Sequence, residues 1–149
     1  MTKLEKSVVI NRPAEEVYAF VTDIEKLPQW MSELVEAKQT SEGPMGVGTT
    51  MSAVATPLGR RAESTQEVTE YEPNRKFAFK STSGPVESKD DYTLESVAGG
   101  TKLTRVAEAK MGAFFRLAEP VAVRMMQRQF KTNFANLKDL LEAQAEVTA

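Results

Sequence analysis

The pattern of hydrophobic and polar positions is most regular in the last third of the chain. Between residues 114 and 145, apolar side chains recur every three or four positions, as on one face of an amphipathic helix. They are Ala122, Val123, Met126, Phe130, Phe134, Leu137, Leu140 and Leu141. At about 1.5 Å per residue, such a helix would reach roughly 45 Å, so it must lie across a large apolar surface.

The first thirty residues predict one strand and two short helices. Lys3 to Asn11 alternates between apolar and polar positions, which is typical of a strand. Asn11 is placed to cap a helix whose first turn contains Pro13 and two acidic residues. A second short helical segment is predicted to begin at Thr22 and to end at Leu27–Trp30.

From residue 34 onwards, extended stretches alternate with brief turns rich in glycine and proline, which indicates consecutive antiparallel hairpins. With the first strand, they predict an α+β fold in which a curved sheet of seven antiparallel strands grips the long helix. The six predicted strands are Leu34–Thr40, Val47–Thr56, Arg60–Tyr71, Lys76–Ser81, Val86–Glu95 and Thr101–Lys110.

Composition narrows the classes of function. The 149 residues predict a single domain, 1–149, and they include neither cysteine nor histidine. Disulfides and thiolate metal sites are thereby excluded, and the commonest general base and transition-metal ligand is missing. We therefore expect no metal and no cofactor.

Charge and hydropathy give further expectations about partners. The formal net charge of −2 implies no general attraction to nucleic acid. The sequence shows neither a signal-peptide pattern nor an apolar run long enough to span a bilayer, which favours a cytoplasmic protein without an integral membrane segment. A basic stripe on the outer helix face, formed by Arg124, Arg128 and Lys131, is interpreted as a solvated surface. The oligomeric state, monomer or homodimer, stays open.

Four stretches carry a family resemblance: VVINRPAEEVYAFVTDIEKLPQWMSELVEAK, QEVTEYEPNRKFAFKS, GGTKLTR and FANLKDLLEA. They resemble the START/Bet v 1-like superfamily, in its bacterial polyketide cyclase/dehydrase-like (SRPBCC) branch. The resemblance implies the helix-grip fold and a large apolar cavity between the sheet and the C-terminal helix. Lipid carriers, hormone receptors, aromatase/cyclases and chaperone regulators share these motifs, so the resemblance does not select one activity.

The residues expected to line this cavity come from the earlier half of the helix and from the strands. Methionine and phenylalanine suit an irregular ligand cavity, although a dry core uses the same residues. The predicted ligand-binding residues are Val123, Met126, Gln129, Phe130, Asn133, Phe77, Phe79, Tyr92, Leu94 and Arg105. The later half of the helix, Phe134 to Leu141, is expected to pack tightly on the sheet.

Polar side chains at inward positions are more informative, because burying one without a partner costs about 1–3 kcal/mol. Glu119 is interpreted either as a first-turn acid favoured by the helix dipole or as an acid–base carboxylate at the cavity mouth. Asn133 would bond either to a strand side chain or to a ligand. Arg105, Asp90 and Arg60 are predicted to face the concave surface. There Arg105 would either form an ion pair with Glu119 or Asp90, or hold a ligand carboxylate or stabilise an enolate.

Three functions follow as hypotheses. The first is binding of a hydrophobic small molecule: a lipid, a polyketide or an aromatic compound. The second is a polyketide cyclase/dehydratase-like enzyme, whose candidate catalytic residues are Glu119, Arg105, Tyr92 and Asp90. The third is a stress-related interaction protein. Gate loops are predicted at Pro57–Gly59, Thr82–Pro85 and Met111–Ala113.

Overall fold

The fold is built around one antiparallel β-sheet. A computed structural model describes residues 2–56, 61–84, 86–110 and 119–148. Within these residues, seven antiparallel strands form a half-barrel in the order β1-β7-β6-β5-β4-β3-β2, which confirms the predicted α+β helix-grip fold. The strands are β1 (Thr2–Ile10), β2 (Leu34–Gln39), β3 (Thr50–Ala55), β4 (Ala62–Glu72), β5 (Lys76–Ser83), β6 (Glu87–Val97) and β7 (Gly100–Lys110).

The helices also follow the predicted order. They are α1 (Ala14–Val21), a 3₁₀ turn (Ile24–Lys26), α2 (Leu27–Trp30) and α3 (Glu119–Thr148). The predicted cap by Asn11 is wrong, because Pro13 occupies the cap position and no side chain caps α1. Arg12 instead binds Glu16 in the first turn, so the acidic residue that favours the helix dipole is also held in place.

Glycines with positive φ angles lie at the starts of two strands, β3 and β7. Strand β3 begins at Thr50, later than predicted, because Gly48 has a φ of 91° and interrupts the extended backbone. The β6–β7 hairpin turns at Gly99 and Gly100, where φ is 89° and 137°. A Cβ atom on Gly100 would collide with the carbonyl oxygen of Ile10, so the hairpin passes the end of β1 only with glycine there.

The two halves of α3 belong to different apolar clusters. Phe134, Leu137 and Leu141 are at most 2% exposed and pack in the main core with the residues of α1, α2 and the sheet. Phe130 instead joins a small cluster with Leu4 and Ala107, against which two helix residues, Val123 and Met126, are only partly buried. The later half of α3 is therefore the part of the helix that is packed into the main core.

Candidate functional site

Tyr92, on β6, is the centre of an aromatic cluster on the concave face of the sheet. Its side chain is 1% exposed and lies opposite Phe77 of β5 and Arg105 of β7 in the strand register. The Tyr92 ring centroid is 6.1 Å from that of Phe79 and 6.4 Å from that of Trp30, which ends α2. Strand alternation and the position of α2 together surround the phenol with apolar rings.

Arg105 is the charged side chain of this cluster. Its Nε donates to Oδ1 of Asp90 at 2.7 Å, and both residues are buried. Its guanidinium carbon lies 4.0 Å from the Phe130 ring centroid and 5.5 Å from that of Tyr92, so the cation is held between two aromatic faces. Of the two partners predicted for Arg105, the structure brings Asp90 to it, whereas the side chain of Glu119 lies outside the described residues.

Three polar atoms of this cluster have no hydrogen-bond partner among the described residues. They are Trp30 Nε1, the Tyr92 hydroxyl and Arg105 Nη1, all of them buried. Each carries a hydrogen to donate, and an unsatisfied buried donor costs about 1–3 kcal/mol. Three unpaired donors on side chains that pack around one another are therefore the feature of this core that most needs an explanation.

The Tyr92 phenol and the Arg105 guanidinium both keep their protons and remain hydrogen-bond donors. Burial raises the pKa of Tyr92 far above its usual range, although the positive charge of Arg105 opposes this shift. Burial alone would lower the pKa of Arg105, but the charge of Asp90 and its hydrogen bond raise it, and the net pKa is above the usual value. At neutral pH the site therefore presents a neutral phenol and a guanidinium ion.

Asn133 of α3 is fully buried, and its hydrogen bonds are already made. Its Nδ2 donates to the two carboxylate oxygens of Glu33 at 3.1 and 2.9 Å. Its Oδ1 accepts from the backbone N–H of Ser32 at 3.1 Å and from Nε2 of Gln129 at 3.0 Å. Apart from Gln129 on α3 itself, its partners lie in the segment between α2 and β2, not on a strand, and they fasten α3 to that segment.

The sequence matches the model of a known protein family over most of its length. The sequence profile of the family described as polyketide cyclase / dehydrase and lipid transport matches residues 1–142. The chain belongs to this family. The predicted membership of the polyketide cyclase/dehydrase-like family is thereby confirmed. No curated protein matches the sequence.

Solved structures share the fold of this polyketide cyclase/dehydrase and lipid transport family member. The protein TTHA0849 from Thermus thermophilus has a TM-score of 0.84 at 18% identity, covering 96% of this chain and 99% of that chain. A START superfamily protein from Mycobacterium smegmatis has a TM-score of 0.76 at 16% identity, covering 95% and 98%. The di-domain ARO/CYC StfQ from the steffimycin biosynthetic pathway has a TM-score of 0.78 at 13% identity, covering 97% and 51%.

The predicted site residues of this family member fall into two groups. The strand residues Phe77, Phe79 and Leu94 are buried in the main core beside Tyr92 and Arg105. The helix residues Val123, Met126 and Phe130 belong to the smaller cluster under the earlier half of α3. That these two groups bind a ligand stays a prediction. Sequence reasoning did not assign Trp30 or Glu33 to the site; the local signal is that Trp30 ends α2 and Glu33 lies in the segment between α2 and β2.

The inner face of the sheet changes character towards one end. Beyond Asp90 the inward positions hold small and polar side chains, which are half-buried: Ala53, Ser64, Gln66, Ser81 and Ser88. The paired residues Ala55 and Ala62 lie at this end of the sheet, as do Glu87 and Lys110. The predicted gate residues Pro57–Gly59, Pro85 and Met111–Ala113, together with Arg60, lie outside the described residues.

Two other features, a membrane-spanning helix and a cluster of metal ligands, are not found in the described parts of the chain. There, no helix combines the length and hydrophobicity that crossing a bilayer requires. Nor do three acidic side chains gather in those parts in a way that would hold a metal ion. The Tyr92 cluster presents hydrogen-bond donors in apolar surroundings.

Proposed function

We propose that the protein binds a small, mainly apolar molecule that carries a neutral hydrogen-bond acceptor, between the sheet and the earlier half of α3. The observation that carries this proposal is the set of three buried donors without partners, on Trp30, Tyr92 and Arg105. A ligand oxygen that accepts from them would remove the desolvation penalty of leaving them unpaired. Ligand sites typically combine apolar walls with a few such polar groups.

Electrostatics favours a carbonyl or hydroxyl oxygen over a carboxylate. The charge of Arg105 is already balanced by Asp90 at 2.7 Å, and the negative charge of Glu33 raises the pKa of both Tyr92 and Arg105. A ligand carboxylate would therefore add a net buried negative charge, which is costly. Ketones, quinones and phenols with aromatic or polyketide skeletons fit both the donors and the surrounding rings.

The sheet and α3 are inferred to act as one unit in this function, as a single domain over residues 1–149. The main core cluster contains residues from both, and the smaller cluster joins β1 and β7 to α3. The site is inferred to lie where these two clusters meet, since Arg105 contacts the ring of Phe130 from one side and that of Tyr92 from the other.

A matched pair of probes tests the proposal. 2-Acetylnaphthalene and 2-ethylnaphthalene have similar shapes, but only the ketone has an acceptor oxygen. We expect the ketone to bind at least tenfold more tightly and to raise the melting temperature at saturation. Calorimetric titration measures both affinities, and native mass spectrometry of freshly purified protein searches for a retained ligand. Equal binding of the two probes, or binding of neither with no retained ligand, would contradict the proposal.

The same donors favour a second candidate function, catalysis of the cyclase/dehydratase type. Donors that bind a ketone oxygen also stabilise the enolate formed when an adjacent C–H bond gives up its proton to hydroxide or a buffer base from solvent. Because the pKa of Tyr92 is raised by burial, its phenol is assigned the role of donor and not of base. Exchange of the methyl protons of 2-acetylnaphthalene in D₂O, followed by NMR, tests this function. An exchange rate equal to that in buffer alone excludes catalysis and leaves binding.

A further inference from the structure

A further feature of the fold lies along the free edge of the sheet, beside the earlier half of α3. Between β1 and α3 is a cleft of about 520 Å³. It is lined by Glu5, Lys6, Arg124, Gln127, Arg128, Phe130 and Lys131. This volume is within the range of small-molecule sites, about 300–1,000 Å³. The cleft thus has four cationic side chains, one carboxylate and one amide around a buried aromatic residue.

The positive charge of this cleft is concentrated on one stretch of α3. From residue 120 to residue 138 the chain contains four basic residues and no acidic one, although the whole protein has 21 acidic and 19 basic residues. Arg124 and Arg128 are one helical turn apart, and Lys131 follows on the same flank. Like charges at this spacing repel each other and destabilise the helix. Arg124, Arg128 and Lys131 are exposed, as a solvated surface would be, and they also form one wall of the cleft.

The remaining cation comes from the sheet. Lys6 lies on the inner face of β1, between Leu4 and Val8, and it is half-buried. Within the described residues, none of the four cations of the cleft forms an ion pair, and Glu5 is not within salt-bridge distance of any of them. Several basic side chains elsewhere in the described residues do have acidic partners, as in Arg12–Glu16, Lys76–Glu70 and Lys138–Glu142.

From this charge imbalance we propose that the cleft binds a multiply charged anionic group, the phosphate monoester or diphosphate of a small soluble molecule. Arg124 and Arg128 each present a planar fork of donors that matches phosphate oxygens, while Lys6 and Lys131 add point charges. The Gln127 amide supplies a further donor. The ring of Phe130 closes the inner side of the cleft, where Arg105 lies against it. The cleft adjoins the proposed site at Tyr92, and the two share the ring of Phe130.

Binding of pyrophosphate to the full-length protein tests this inference. We expect calorimetric titration at fixed ionic strength to detect saturable binding by pyrophosphate and by phenyl phosphate, with an affinity that falls as salt is raised. The double variant Arg124→Gln/Arg128→Gln is expected to weaken binding at least tenfold. The control, Lys38→Gln/Lys80→Gln, removes the same charge from exposed strand positions and is expected to change the affinity less than twofold.

Two results would overturn the inference. The first is no saturable pyrophosphate binding at millimolar concentration, or binding that both double variants weaken equally. The second is flotation with phosphatidic acid vesicles, but not with phosphatidylcholine vesicles, in a protein that does not bind soluble pyrophosphate, since the cleft would then be a membrane contact. Binding of 2-acetylnaphthalene by the Arg124→Gln/Arg128→Gln variant, measured in parallel, distinguishes failure of this site from failure of the ketone site.

Discussion

Arg105 binds Asp90 through one nitrogen only. Its Nε is 2.7 Å from Oδ1 of Asp90, while its Nη1 has no partner among the described residues. The pair is buried between the rings of Phe130 and Tyr92. Asp90 therefore neutralises the buried charge of Arg105 and leaves Nη1 of Arg105 available as a donor to a ligand.

Removing one partner of this ion pair is expected to destabilise the fold more than replacing both partners with apolar residues. The Asp90→Ala variant leaves the Arg105 charge buried and unpaired, and we expect it to lower the free energy of unfolding by about 3–5 kcal/mol. The double variant Asp90→Leu/Arg105→Met removes both charges and should recover most of that loss. Urea denaturation measures both values. Glu72→Ala, which breaks an exposed pair with Arg75, serves as the control and should cost less than about 1 kcal/mol.

Two tyrosine-to-phenylalanine changes are expected to have opposite effects on stability. The Tyr92 hydroxyl has no partner among the described residues, so Tyr92→Phe should raise the free energy of unfolding by about 1 kcal/mol. The Tyr18 hydroxyl donates to the carbonyl oxygen of Lys76 at 2.8 Å, so Tyr18→Phe should lower it by about 1 kcal/mol. Thermal and urea unfolding measure both changes.

The same two variants separate stability from binding. Tyr92→Phe is expected to weaken 2-acetylnaphthalene binding several-fold, whereas Tyr18→Phe should leave the affinity unchanged. Higher stability together with weaker ligand binding in Tyr92→Phe is the result expected if the hydroxyl is retained for function at a cost in stability. If Tyr92→Phe destabilises the protein and leaves ketone affinity unchanged, Tyr92 has a packing role only.

Asn133→Asp tests the contact between α3 and the segment that follows α2. The new carboxylate would face that of Glu33, so its pKa in the folded protein would be above its unfolded value. A raised carboxylate pKa destabilises the folded state above the ordinary pKa of about 4, and the penalty disappears as the acid becomes protonated. The melting temperature of the variant should therefore be well below that of the wild type at pH 7 and approach it near pH 4.

Asn136→Asp is the matched control for that change. Asn136 is one turn further along α3 and makes one long contact, from its Nδ2 to the carbonyl oxygen of Trp30 at 3.4 Å. It has no hydrogen bond to Glu33 within the described residues. A pH dependence of the same size in both variants would show that the effect does not come from Glu33.

Truncation along α3 should distinguish its two halves. Leu137→Ala empties a fully buried position in the main core and is expected to cost about 2–5 kcal/mol. Met126→Ala, in the partly buried cluster, should cost less, about 1 kcal/mol, because its surroundings are already open to solvent. Equal losses in urea denaturation would mean that the earlier half of α3 is packed as tightly as the later half.

The order and type of the elements were predictable from the sequence alone. Strand alternation, the turns at Gly99 and Gly100, and the apolar stripe of α3 are properties of neighbouring residues, which local sterics and periodicity express directly. The division of α3 into a packed half and a looser half also followed from the stripe, because leucine gives way to methionine and polar residues towards its start.

Strand facing was less predictable, because it depends on irregularities between strands. Within β4 the pairing with β5 shifts between Val68 and Glu70, so that Val68 lies opposite Phe79 and Tyr71 opposite Phe77. A shift of one residue reverses which side chains face the core, and no local pattern announces it.

The chemistry of the site was decided by tertiary structure. Arg105 needed an acid, and the sequence offered two; the register of β6 and β7 brought Asp90 to it from 15 residues away. Asn133 found its partners about 100 residues away, at Ser32 and Glu33, and Lys6 came to face a basic flank of α3 far along the chain. Periodicity states which side of an element is buried, but hydrogen-bond partners and clefts depend on how the elements lie against one another.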